Sequence, residues 1–133
     1  MVVHVEPYKS DFHHLCLPIE GKNGLESKLA ASFGRSQHFL FINLKGSQVK
    51  SHFFLKNPFA KLKVKAGLKA AKLLANQKSE TLITPEIGEI AFFTLKQNLF
   101  DIFKAKGKTA RQNLNSFLKE ELKPLPEPTK KQT

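Results

Sequence analysis

The chain has one cysteine, one methionine, one tyrosine and no tryptophan among its 133 residues. Cys16 alone cannot close an internal disulfide, which excludes a disulfide-stapled secreted scaffold and makes a reducing compartment the default. No Cys-x-x-Cys or clustered His/Cys spacing marks a closed zinc or iron–sulfur site. No apolar run approaches the roughly 18 residues needed to span a bilayer. The first stretch, with His4, Glu6, Lys9, Asp11, His13 and His14, is too polar for a signal-peptide core. The expectation is a cytoplasmic protein without a membrane partner.

Acidic residues are missing from Ser27 to Ser79, where Lys28, Arg35, Lys45, Lys50, Lys56, Lys61, Lys63, Lys65, Lys69, Lys72 and Lys78 make eleven cations. The rest of the chain carries the other eleven bases and all eleven acids, so the whole net charge of +11 belongs to one continuous segment. Such an excess attracts anions if the fold gathers it on one side, and is otherwise a solvated face that aids solubility.

What is present alternates between two periods. Residues 1–14 lack either period and read as an irregular extension. Leu15-Cys16-Leu17-Pro18-Ile19 reads as a strand, followed by a polar turn with Gly21 and Gly24. His38–Leu44 and Val49–Lys56 read as a hairpin around Lys45-Gly46-Ser47. Between Lys61 and Lys78, Val64, Leu68, Ala71 and Ala75 fall on one helical face and Lys61, Lys65, Lys69 and Lys72 on another. Glu80–Thr84 reads as a buried strand, with Pro85 fitting the start of a helix through Leu95. Phe100–Lys104 gives a further strand. Thr109 and Gln112 have the spacing of a capping box ahead of Leu114, Phe117 and Leu118. Pro124, Pro126 and Pro128 then end regular structure, leaving 126–133 as a flexible tail. The order β-β-β-α-β-α-β-α, with room for a short helix near Phe33, predicts an α/β fold in which a mixed sheet is covered by helices. Twelve phenylalanines supply the bulk of the core, with Phe39, Phe41, Phe53, Phe92, Phe100 and Phe117 expected to be buried.

Three stretches together resemble a known family, the dinitrogenase iron-molybdenum cofactor biosynthesis domain of NifX- and NafY-type proteins and small stand-alone members. Gly24-Leu25-Glu26-Ser27 followed by Ser32-Phe33-Gly34-Arg35-Ser36 and Phe39 is similar to the family's Gly-Leu-Asp-Ser turn and His-Phe-Gly-Arg-Ala element. Ala66-Gly67 with Ala70–Ala75 resembles its glycine-containing helix. Leu82-Ile83-Thr84-Pro85-Glu86-Ile87-Gly88 with Ala91 resembles its Ile-Thr-Gly-x-Ile-Gly-x-x-Ala turn. The similarity spans 15–125, with the elements in order. It implies a ribonuclease H-like three-layer α/β/α fold with about five strands, without carrying nuclease chemistry. A two-metal nuclease needs several converging carboxylates; Glu20 and Glu86 are candidates near strand ends, but Ser27 to Ser79 offers none.

The resemblance implies a non-catalytic carrier of an anionic metal–sulfur cluster, the iron-molybdenum cofactor or an iron–sulfur precursor, serving nitrogen fixation alongside cofactor-assembly proteins; no cofactor is required for folding. Cationic side chains and backbone N–H groups in glycine turns or at helix N-termini suit such cargo. The candidates are Asn23, Gly24, Ser32, Phe33, Gly34, Arg35, Glu86 and Gly88. The glycines equally serve tight turns and close packing. Ser32 stands where the family commonly has His, so His38 is the candidate metal ligand, with His4, His13 and His14 able to reach in from a mobile arm. The alternative is a nucleic-acid phosphate-binding or protein-interaction module using the basic 27–79 surface, with Lys61, Lys65, Lys69 and Lys72 on the phosphates.

Overall fold

The computed structural model describes residues 12–77 and 79–130. Five strands, β1 (Phe12–Ile19), β2 (His38–Lys45), β3 (Gln48–Lys56), β4 (Thr81–Thr84) and β5 (Asp101–Lys104), form one sheet in the order β3-β2-β1-β4-β5. The two pairs at the β3 side are antiparallel and the two at the β5 side parallel. Three α-helices join them among the described residues: α1 (Ala66–Ala75), α2 (Glu89–Gln97) and α3 (Ala110–Leu118).

The sheet is buried on both faces at β1, β2 and β4, which explains why β2 reads as a nearly continuous apolar run. Its odd-numbered Phe39 and Phe41 join Phe33, Cys16 and Leu82 beneath α1 and α2. Leu40, Ile42 and Leu44 alternate onto the other face with Leu15, Leu17 and Ile19, beneath α3. Gly46, at φ +60°, opens the two-residue turn between β2 and β3. The Thr109 capping box is present: its side chain accepts from the Gln112 backbone, and Gln112 reaches back.

Several boundaries differ from expectation. β1 begins at Phe12 rather than Leu15, because His14 Nδ1 meets Asn43 Oδ1 across the ladder at 2.7 Å and His13 sets its ring edge-on to Phe117. Both histidines thus sit at the amino end of β1, away from the loop after Ile19. His4 lies outside the described residues. The helix read over 61–78 is shorter: Lys65 is left-handed at φ 64° and precedes α1. α2 starts at Glu89 with Gly88 before it, and Pro85 belongs to the preceding turn. The residues around Phe33 form turns, while Gly24–Glu26 makes a single 3-10 turn. Phe53, 43% exposed, is on the outer strand and stacks on Phe41 at 5.0 Å rather than entering the core. Phe117 is half-buried.

The tail also departs from its expected freedom. Thr129 and Lys130 donate backbone N–H groups to Ile87 O at 3.0 and 3.3 Å, and Ile87 N–H donates to Thr129 Oγ1 at 2.8 Å. Prolines stopped regular structure as expected, but the segment docks on the turn before α2 through Lys130.

Candidate functional site

Three stretches meet where β1 and β4 end. The loop after β1 returns through Ser32-Phe33-Gly34-Arg35 before entering β2, and Phe33 anchors it, fully buried with its ring 5.2 Å from Phe39. Phe33 N–H donates to Glu86 O at 3.1 Å, joining this loop to the turn after β4. The third stretch is the chain's end: Lys130 Nζ donates to Ser32 Oγ at 2.9 Å and stands 3.7 Å from Glu86 Oε1. Lys104 Nζ closes the same turn from β5 by donating to Pro85 O at 2.6 Å. Ser32, Arg35, Ser36, Gln37 and Glu20 line a hollow of about 430 Å³ here.

The Gly34 position is required by packing. A Cβ on it would lie 2.9 Å from Gly67 Cα, backbone against backbone at the start of α1. Gly34 and Ser36 carbonyls accept from Asn57 Nδ2 at 3.2 and 2.8 Å, and Asn57 Oδ1 accepts from Phe59 N–H at 3.0 Å. Arg35 sends its guanidinium to the carbonyls of Ala60 and Leu62. The loop before β2 and the loop after β3 are therefore one hydrogen-bonded unit, and Arg35 combines a structural contact with a cation exposed at the rim.

Ser32, Phe33, Gly34, Arg35, Glu86 and Gly88 thus lie in the segments that meet here. Asn23 and Gly24 are not: their 3-10 turn packs against α3 and β3, and a Cβ on Gly24 would meet the His52 ring at 3.2 Å. His38 is placed in a neighbouring hollow, on the β2 face shared with Leu40 and edge-on to Phe54 at 5.4 Å. Burial, and then the charges of Lys22 and Lys56, hold its pKa below the ordinary imidazole value. Cys16 is fully buried, and burial pushes its thiol pKa well up, as suits a small core residue rather than a ligand. Among the described residues, no group of three His, Cys, Asp or Glu side chains is placed to hold a metal ion. Of the lysine stripe, Lys69 and Lys72 lie on α1, while Lys61 and Lys65 fall before it, so the four do not form one helical face.

Nothing local in the sequence marks Lys130 as part of a site. Its three contacts are to residues far away in the chain, and the prolines before it gave no local sign of docking.

Comparison with known proteins identifies the family. Residues 13–120 match the family described as dinitrogenase iron-molybdenum cofactor. The chain belongs to that family. MJ0580, an uncharacterized protein of Methanocaldococcus jannaschii, is 25% identical over 108 residues, covering 81% of this chain and 87% of its own. The apo form of the orange protein from Desulfovibrio gigas superposes with a TM-score of 0.80 at 25% identity, over 89% of this chain and 97% of that one. The Thermotoga protein TM1290 shares the fold, with a TM-score of 0.74 at 24% identity over 89% and 97% of the two chains. Membership ties the chain to the binding or biosynthesis of the iron-molybdenum cofactor. No helix among the described residues is long and apolar enough to cross a membrane.

Proposed function

We propose that this family member is a non-catalytic carrier of an anionic metal–sulfur cluster, the iron-molybdenum cofactor or its iron–sulfur precursor, received in the hollow at Ser32. The observation that carries the reading is the meeting of Ser32, Glu86 and Lys130 from three distant segments at one end of the sheet. The strand order and the antiparallel β2 support the ribonuclease H-like arrangement that the resemblance implies.

The cluster is cargo here, and the residues suit holding it as an anion rather than through a set of metal–protein bonds. Lys130 and Arg35 supply cations, and Ser32 lines the hollow with its hydroxyl. Glu20 and Glu86 offset those cations while the hollow holds no cargo. Exchange is inexpensive, because an exposed pair such as Lys130–Glu86 contributes about 0–1 kcal/mol. Lys130 then turns from a carboxylate to the cargo. The reading includes residence in the cytoplasm and transfer to cofactor-assembly proteins.

Anaerobic titration with the iron-molybdenum cofactor or its precursor, followed by gel filtration, iron analysis and visible absorption, tests it. Iron is expected to co-elute with the protein, and Lys130→Ala to lower the amount retained while the far-UV spectrum stays unchanged. A protein peak free of iron overturns the carrier assignment for these clusters.

A further inference from the structure

A second hollow, of about 440 Å³, adjoins the first at Gln37 and is lined by His38, Lys56, Asn57, Ala60 and Lys61. Its charged groups have one sign: no Asp or Glu lines it, and Lys22 lies close enough to act on His38. The walls are fixed. Asn57 ties the 57–59 turn to Gly34 and Ser36, and Arg35 holds the carbonyls of Ala60 and Leu62.

The His38 ring supplies a second kind of observation. Its Nδ1 is buried and has no hydrogen-bond partner. Orphaned buried donors are rarer than under-satisfied acceptors, so Nδ1 is best left as the bare lone pair of a neutral ring. That places the proton on Nε2, a donor without a protein acceptor among the described residues. The volume falls within the roughly 300–1,000 Å³ of small-molecule sites and is far from the extended track a duplex requires.

We propose that this hollow binds the phosphate end of a small molecule, a phosphomonoester or diphosphate, with His38 Nε2–H and the ammonium groups of Lys56 and Lys61 as its donors. Clustered ammonium charges with a neutral N–H donor match a multiply charged tetrahedral oxyanion, which offers acceptors in several directions. The cations that oppose protonation of His38 also give the site a standing attraction for this ligand. The assignment is independent of cluster carriage, since the donors belong to a different hollow.

The test follows the His38 ring signals of the full chain by NMR near neutral pH while inorganic pyrophosphate is added, with sodium chloride at matched ionic strength as the reference. Pyrophosphate is expected to shift His38 saturably, and Lys56→Ala/Lys61→Ala to raise the apparent Kd by about tenfold or more. Both lysines are exposed, so the remaining spectrum reports that the variant is folded. A shift that chloride reproduces, that does not saturate, or that survives the double substitution overturns the proposal. A short DNA duplex is the second arm: steeply salt-dependent duplex binding, with His38 unmoved by pyrophosphate, assigns the lysines to nucleic acid and also overturns it.

Discussion

The two hollows that meet at Gln37 differ in charge and in construction. Around Ser32, Lys130 is paired with Glu86 and Arg35 shares the lining with Glu20, and the parts come from three segments distant in the chain. Around His38, Lys56 and Lys61 face no acid among the described residues, and the lining comes from the open end of the β2–β3 hairpin and the loops that flank it. A balanced hollow keeps its cations occupied until a cargo replaces their partners. An unbalanced one bears a permanent field, in which the charges of Lys22 and Lys56 add to burial in lowering the His38 pKa. Adjacent cavities of similar size thus suit different ligands, for reasons of charge pairing rather than shape.

Asn57 is the part both share, and removing it is the strongest way to break the comparison. Its side chain serves Gly34 O, Ser36 O and Phe59 N–H from a buried position. Asn57→Ala leaves those groups without their partner and is expected to cost about 3 kcal/mol, given roughly 1–3 kcal/mol per buried group left unpaired. Urea unfolding measures this, and both pyrophosphate and cluster binding are expected to weaken together. Unchanged stability, or loss at one hollow alone, shows that the two loops are held independently.

Thr109→Ala sharpens the comparison from outside it. Loss of the capping box on α3 is expected to cost about 1 kcal/mol, with ligand binding at both hollows unchanged. A binding defect in this variant ties the hollows to global stability instead of to their own residues.

The smallest expected effect is the acid response of His38. Its folded pKa is depressed, so the fold favours the neutral ring. Its contribution to stability is present above the unfolded value of about 6.5 and is lost as pH falls from there through the folded value. An NMR titration should place its midpoint below that of an unperturbed histidine, and Lys56→Ala should move it upward. A midpoint that is not lowered, or one insensitive to Lys56, removes the standing field from the account.

Most of the fold was legible because its signals are local. The hairpin showed in the apolar run of β2 and the glycine of its turn, and α3 in the spacing of Thr109 and Gln112. What stayed hidden depended on distant partners. His14 looks like a break in an apolar pattern until Asn43 is set opposite it. The lysine periodicity over 61–78 is real in the sequence, but Lys65 turns left-handed and the helix begins after it. Phe53 reads as core and is only half covered, because β3 has one neighbour in the sheet. Around Ser32, the glycine and phenylalanine pattern was informative, whereas Lys130 could be found only by folding the end of the chain back onto the turn at Ile87.

The path of that returning segment affects how copies of the protein can join. Before reaching Ile87 it runs beside β5, where Lys104 N–H donates to Lys123 O at 3.0 Å and Leu125 N–H to Ile102 O at 2.8 Å. Its outer side carries Pro124 and Pro126, which have no N–H to offer a further strand. Among the described residues, β3 is therefore the margin of the sheet that retains a free row of backbone donors and acceptors. Two molecules paired through β3 use up both of their receptive margins, so growth by strand addition stops at a pair instead of continuing as a fibre.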